Sequence, residues 1–542
     1  MKKYGRWITV GVVVLFVAAL VLRTNTQSTL TPLVSETWSR GQILGQTSVK
    51  RAVTMRPAPD GGMYLAWSTV DGKIELAHVG MDGEVLMDRV LPVSTLQARD
   101  PQLQVGSDGH LQLLWREQSG GDAGIHYALL QADGTLVGQT GAVSKPGSRI
   151  SDAPRLVQGQ DGRLHALWTD DDGVRWAALD DTGDVAAEPV LLIPEASSPR
   201  VRMDGEGRLH LTWQQKVRGS LVTIHYAILD PEQGELNGAE EIAEVQINGP
   251  LQLEAMALGL SQDMGYVFWS VYNTKFDSFT FQYASFPLDA PQNRRVVPWP
   301  LRSVEGVRAI APLEGQQSSL PLVLSKRMMG EEQLDLRVTL VTVGEGQSGA
   351  DEQMLTAPST AAMKPSLVAD DRSNLHVAWL SAGGSEGFRV IYGSNSPEVI
   401  ENYNALTFVD TFDVALDSVF RLSTAIVSLL VSLGLWAVVP VVGLMVYHLV
   451  TSEETLNTRR AQVAVLVAVV VVVLLSFVMP PRLGIDLDWP VLRWIVPAFS
   501  VVMTAVVTVS VVRRREEVHL FGVFFLFTIM YSLMQTVLFL VF

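Results

Sequence analysis

Arg155 and Arg200 each stand directly after a proline, and Arg99, Asp100 and Asp152 fall beside the prolines of the same series. Two guanidinium groups on adjacent strands suit a carboxylate, because the planar arginine fork matches its two oxygens. The plainer role for these five residues is that of solvated strand charges, or of pairs such as Arg99 with Asp100. Histidine forms a second set. His165, His210 and His376 each stand three residues before a tryptophan, and His126 and His225 share another position. Three imidazoles are enough for a metal site. Copies of one repeat position are spread apart in space, however, so these read as strand residues with local polar partners, and no metal site is assigned. The turns DDDG (170–173), DDTGD (180–184) and DPEQGE (230–235) offer oxygens of the kind Ca²⁺ takes. None follows the twelve-residue calcium-loop pattern, and hairpin turns favour the same residues for backbone reasons. No cofactor and no catalytic residue are assigned.

The elements that must position these residues repeat. Trp67, Trp115, Trp168, Trp213, Trp269 and Trp379 each close a run of alternating polarity, as in DGHLQLLW, DGRLHALW and EGRLHLTW. The gaps between them are 48, 53, 45, 56 and 110 residues, so one copy has lost its tryptophan near SLPLVLSK (319–326). Pro101, Pro154, Pro199 and Pro365 lie fourteen residues before the tryptophan of their copy, and Pro250 nineteen before, which marks an insertion. A second alternating run follows each tryptophan, then often an Asp-Gly turn and a short further strand. Period-two alternation marks half-buried strands, and Asp-Gly marks hairpins. Four short strands in about 50 residues are one blade of a β-propeller. The expected fold is an all-β propeller over 24–400, of seven four-stranded blades. The repeat is weakest at 290–360, where a count of six or eight is also compatible. GQILGQ (41–46) has no copy of its own, and it is expected to complete the last blade and bring the ends of the domain together.

This repeat resembles the sialidase-like, Asp-box-type propellers over roughly 40–395. The resemblance departs from that family's Ser-x-Asp-x-Gly-x-Thr-Trp box, because Asp60, Asp108 and Asp161 lie seven residues before tryptophan instead of five. It implies a substrate carboxylate gripped by arginines, with Arg155 and Arg200 in the right place. The third arginine, the Tyr–Glu nucleophile pair and the acid/base Asp of such enzymes have no counterpart that the motif assigns here.

The 542 residues carry a formal net charge of −15 and no cysteine. The acidic balance argues against nucleic acid as a partner, since phosphate neutralisation needs clustered Lys and Arg. The lack of cysteine removes disulfides, thiolate metal sites and thiol nucleophiles. Apolar residues are concentrated at the two ends. Residues 7–22 follow Lys2, Lys3 and Arg6, and 1–23 reads as an uncleaved signal anchor. Four apolar segments at about 423–450, 461–480, 490–512 and 518–541 each reach the roughly 20 residues of a membrane-crossing helix. Arg459, Arg460 and Arg513 to Arg515 fall between alternate segments, so the positive-inside rule places those loops in the cytoplasm and the propeller outside. Residues 401–422 read as a linker or an amphipathic helix, and 423–542 as a four-helix transmembrane domain that matches no known family.

The expectation is a protein of a bacterial cytoplasmic membrane, multi-pass, with an extracytoplasmic propeller. Its partners would be the lipid bilayer, a protein or membrane complex, and possible glycans. The leading function is a binding or scaffold module for a protein or glycan partner. The alternatives are a membrane-tethered sialidase-like glycoside hydrolase and an accessory subunit of a transporter.

Overall fold

The computed structural model describes residues 30–405, 431–478 and 492–541, apart from short stretches at 94–96, 119–122, 160–161, 181–187, 301–304, 315–317, 330–333, 345–346, 349–351, 358–360, 384–386, 432 and 514–517. The anchor expected at 1–23 and the amphipathic segment at 409–422 lie outside these residues. The chain divides into two compact units, of which one is Gln27–Ala405 and the other holds Leu406–Phe542.

The first unit is a seven-bladed β-propeller. Seven antiparallel sheets follow one another along the chain. Blade 1 runs through Thr54–Pro57, Met63–Ser68, Ile74–Val79 and Val85–Val90, and blades 2 to 5 repeat this order of four strands. Blade 6 lies where tryptophan is missing, with Leu320–Met329 as its second strand and an outer strand broken into Gln347–Ser348 and Gln353–Met354. Blade 7 takes three strands from Ala362–Ser394, and its fourth, Gln42–Thr47, from the start of the domain. The expected closure is therefore present. A short helix, Pro397–Tyr403, follows the last blade. The Asn404 amide accepts from Arg40 N–H at 2.9 Å and donates to Trp38 at 2.9 Å, which ties the two ends of the domain together.

The tryptophans explain why the repeat is written as it is. Each is at most 3% exposed, and each packs onto the preceding blade. Trp115 lies among Tyr64, Ala66 and Leu76 of blade 1, Trp168 among Leu114, Ile125 and Tyr127 of blade 2, and Trp213 on Leu167 and Val174 of blade 3. Trp269 packs on blade 4, Trp379 on blade 6, and Trp67 on blade 7 across the closure. Twisted sheets diverge outward, and a large flat ring fills the wedge. At blade 6 the tryptophan position is Leu324, and the seam is filled from the other side by Phe268, Phe281 and Trp299 of blade 5.

The histidines and turn aspartates belong to this frame. His210 bonds to Asp204 at 2.8 Å and to the Tyr226 hydroxyl at 2.5 Å, while His376 meets the Tyr392 hydroxyl at 2.7 Å and Asp370 at 3.4 Å. Asp60, Asp108 and Asp204 each accept a backbone N–H two residues on, at 2.9–3.0 Å, and so close the first hairpin of their blades. In DDDG, Asp170 and Asp172 both pair with Arg175, and in DPEQGE Asp230 accepts the N–H groups of Glu232 and Gln233.

The second unit holds the helices Leu433–Thr451, Arg459–Val478, Leu492–Val512 and Leu520–Val541. The first two are long and apolar enough to cross a membrane by length and composition. Their shared core includes Trp436, Leu444, Val465, Val472, Phe524 and Tyr531. Val439, Leu449, Val463 and Leu466 are exposed on the outside.

Candidate functional site

The inner strands of the propeller surround a cavity of about 280 Å³ on the ring axis. Its charged lining is Arg51, Arg56, Arg155, Arg200, Arg202, Arg308 and Lys364, against Asp100, Asp152, Glu254 and Glu314. Seven cations thus face four carboxylates, inside a chain whose formal net charge is −15.

A recurring backbone device delivers several of these side chains. The inner-strand register slips just after Arg99, Ser197, Leu253, Val307 and Met363. Each slip is a β-bulge, which leaves a residue unpaired and re-aims its side chain. The residues within these bulges include Asp100, Ser198, Glu254, Arg308 and Lys364. Three of them precede the repeat proline and have positive φ: Asp100 at 54°, Ser198 at 54° and Lys364 at 50°. Proline has no N–H to give the ladder, so a bulge is where it fits. A non-glycine residue in this conformation is strained, and such strain gathers at functional sites.

The ion pairs follow a pattern. Asp100 lies between Arg51 at 3.2 Å and Arg116 at 2.8 Å. Glu314 lies between Arg56 at 3.2 Å and Arg202 at 2.9 Å. Asp152 lies 3.6 Å from Arg200 and also feels Arg155. Asp100 and Glu314 are each shared by two arginines, whereas Arg200 with Asp152 and Arg308 with Glu254 at 3.2 Å are single pairs. Among the described residues Arg155 has no ion-pair partner; its Nε donates only to the Pro199 carbonyl, at 3.4 Å. Arg202 Nε is buried without a hydrogen-bond partner.

Protonation follows from the crowding. Burial pushes the Asp152 carboxyl up, but Arg200, Arg155, the Ala153 N–H and Ser198 outweigh it and leave it at about 2. Burial also opposes Glu314, where Arg56, Arg202 and Arg155 prevail and hold it below the usual carboxylate range. Neither carboxyl carries a proton to give at neutral pH. Burial, then Arg200 and Arg202, pulls Arg155 below the ordinary arginine value while Asp152 opposes; a guanidinium stays charged near neutrality all the same. Burial lowers Lys364 too, helped by Arg51, Lys50 and Arg200 and opposed by Glu254. Such a site favours an added anion.

Of the residues singled out from sequence, Arg155, Arg200, Asp100 and Asp152 meet in this cavity. Arg99 does not line it, and Asp100 pairs with Arg51 and Arg116 instead. Arg56, Arg202, Glu254, Arg308, Glu314 and Lys364 were not singled out. Two of them were accessible in principle: Arg202 lies two residues after Arg200 and so shares its strand face, and Lys364 precedes a repeat proline just as Asp100 does.

No family model matches the chain, and no curated protein matches it. Similar solved structures include an ulvan lyase of family PL25 bound to a glucuronic acid–rhamnose 3-sulfate repeat, at 9% identity, covering 67% of this chain and 98% of that one, with a TM-score of 0.47. The polysaccharide lyase Uly1 is 12% identical over 68% of this chain and 92% of that one, with a TM-score of 0.43. An α-L-arabinanase of Penicillium chrysogenum is 12% identical over 44% of this chain and 92% of that one, with a TM-score of 0.33. The resemblance to sialidase-like proteins holds at the level of a propeller fold.

Proposed function

We propose that this protein is a membrane-tethered propeller that binds an acidic glycan, taking a carboxylate of the ligand into the axial cavity at Arg155 and Arg200. The observation that carries this reading is the surplus of positive charge in that cavity, with Arg155 unpaired. Electrostatic complementarity selects the ligand, because a neutral sugar leaves the surplus unmet. The four tail helices and the N-terminal segment hold the propeller at the outer face of a bacterial cytoplasmic membrane. Their apolar exterior suits lipid, or the helices of a membrane complex. An acidic polysaccharide is also what the ulvan lyase above holds; the assignment rests on the cavity and not on likeness of fold.

The test is calorimetry on the full chain in detergent micelles, with oligogalacturonate and a neutral oligosaccharide of equal length. Saturable binding of the acidic oligomer alone, lost in Arg155→Ala, is the expected result. Equal binding of the neutral oligomer, or an unaffected Arg155→Ala, would overturn the reading.

A second reading, cleavage of that glycan, is favoured by the strained backbone at Asp100, Ser198 and Lys364 and by the half-buried Lys364 amine, which has no ion-pair partner among the described residues. Among the described residues no tyrosine lines the cavity. This counts against a sialidase-type nucleophile and leaves Lys364 as the group able to move a proton. New chain ends released from polygalacturonate by the full-length protein, and abolished in Lys364→Ala, would establish cleavage; an unchanged polymer would leave binding as the function.

A further inference from the structure

Four of the cavity's arginines lie at two levels along the axis. Arg155 and Arg200 pair in register with Leu167 and Thr212, each just before the tryptophan of its blade. Arg56 and Arg202 pair with Tyr64 and His210, three residues before it. Arg200 and Arg202 are two residues apart on one face of one strand, which separates the levels by about 7 Å. Each level sets two arginines against one carboxylate: Asp152, paired with Arg200, at the first, and Glu314, between Arg56 and Arg202, at the second. Each level therefore keeps about one positive charge that the protein does not meet. Arg155 carries it at the first. At the second, the buried and unpartnered Nε of Arg202 marks a donor that Glu314 does not reach.

We infer that the cavity recognises two anionic groups on a single ligand, set about 7 Å apart along the ring axis, so that the ligand is an acidic oligosaccharide and not a single acidic sugar. This rests on the acidic-glycan reading. Glu314 has its own part in it. Its side chain keeps 40% of its surface open, and it occupies the space between Arg56 and Arg202 that the second anion approaches. It holds the two arginines in place when the cavity is empty, and weakens the second level when the cavity is filled.

Galacturonic acid, its dimer and its trimer, titrated against the full chain in micelles, separate the possibilities. Three equivalent sugars give the trimer a threefold statistical advantage, and the two-level site is expected to give at least thirtyfold over the monomer. Arg202→Met should bring the ratio back towards threefold, with thermal unfolding run alongside to establish the fold. Glu314→Gln should move the other way and tighten the trimer severalfold. A trimer no tighter than threefold over the monomer in the wild-type protein overturns the inference while leaving acidic-glycan binding intact. Binding of none of the three sinks the parent reading with it.

Discussion

The blade seams and the ring axis are built from the same repeat, and they treat it in opposite ways. At the seams one identity recurs: tryptophan in six blades, with blade 6 supplied by a neighbour's aromatic rings. At the axis the equivalent bulge carries Asp100, Ser198, Glu254, Arg308 or Lys364 in different blades. A packing problem posed seven times has one good answer, so it is answered alike. The axial cavity is formed once by the whole ring, so each blade contributes something different to it. Within this fold, residues that repeat hold the structure, and residues that break the repeat line the axial cavity.

Substitutions at the two places should then part stability from binding. Trp168→Ala empties a seam where the ring is fully buried, and it is expected to cost about 3–5 kcal/mol. Thermal unfolding in detergent should show a large drop in midpoint, and a small drop would mean that the seams are not what holds the ring closed. Arg155→Ala removes a cation that has no ion-pair partner among the described residues and is crowded by Arg200 and Arg202. The midpoint should stay the same or rise slightly, while acidic-glycan affinity falls by about tenfold or more, the scale of one lost charged hydrogen bond. A variant that both unfolds and fails to bind would place Arg155 in the frame.

The seam half of this comparison was legible in the sequence. Tryptophan spacing, Asp-Gly turns and period-two runs give seven blades, and an unpartnered GQILGQ gives the closing strand. These are local signals, repeated often enough to rise above noise. The axial half was legible only in part. Arg155 and Arg200 stood out because they follow repeat prolines, but Glu314 lies beyond the end of an inner strand and reaches Arg56 and Arg202 from a different blade. No spacing rule links residues 56, 202 and 314, since they meet only when the ring closes. Arg99 shows the converse error. It neighbours Asp100 in sequence, yet the bulge between them turns the carboxylate to Arg51 and Arg116.

The comparison extends to pH. Burial lowers His210 and His376, with Asp204 and Asp370 opposing, so both imidazoles stay neutral in the fold at pH values where an unfolded histidine takes up a proton. The unfolded chain then binds more protons, and stability falls as pH drops below about 6.5. Asp204 and Asp370 act in the same sense at lower pH: burial pushes them up, but hydrogen bonds to His210, Arg208 and Asn374 prevail and hold them low, so their stabilisation is lost as pH falls through the folded values. The unfolding midpoint should fall steadily from pH 6.5 to 4, and the double variant His210→Gln, His376→Gln should flatten the upper part of that slope. The axial carboxylates, already at about 2 for Asp152, should leave ligand affinity level until lower pH. A slope unchanged in the double variant would show that the seams do not set it.

The smallest effect sharpens the contrast most, because its sign differs from that at the seams. Lys364 sits at φ 50° before a proline and has no ion-pair partner among the described residues, so the fold bears strain there and gains no paired charge in return. Left-handed backbone costs an L-residue roughly 1–2 kcal/mol, and glycine avoids that cost while giving up some entropy in the unfolded chain. Lys364→Gly should therefore raise stability by about 0.5–1 kcal/mol, whereas most substitutions in a protein lower it. The same change removes a cation from the cavity, so acidic-glycan affinity should fall as stability rises. A loss of both would mean that the lysine stem packs as part of the frame. A gain in stability with a loss of affinity would identify the strained bulge as a cost carried for the ligand, which is the property that separates the axis from the seams.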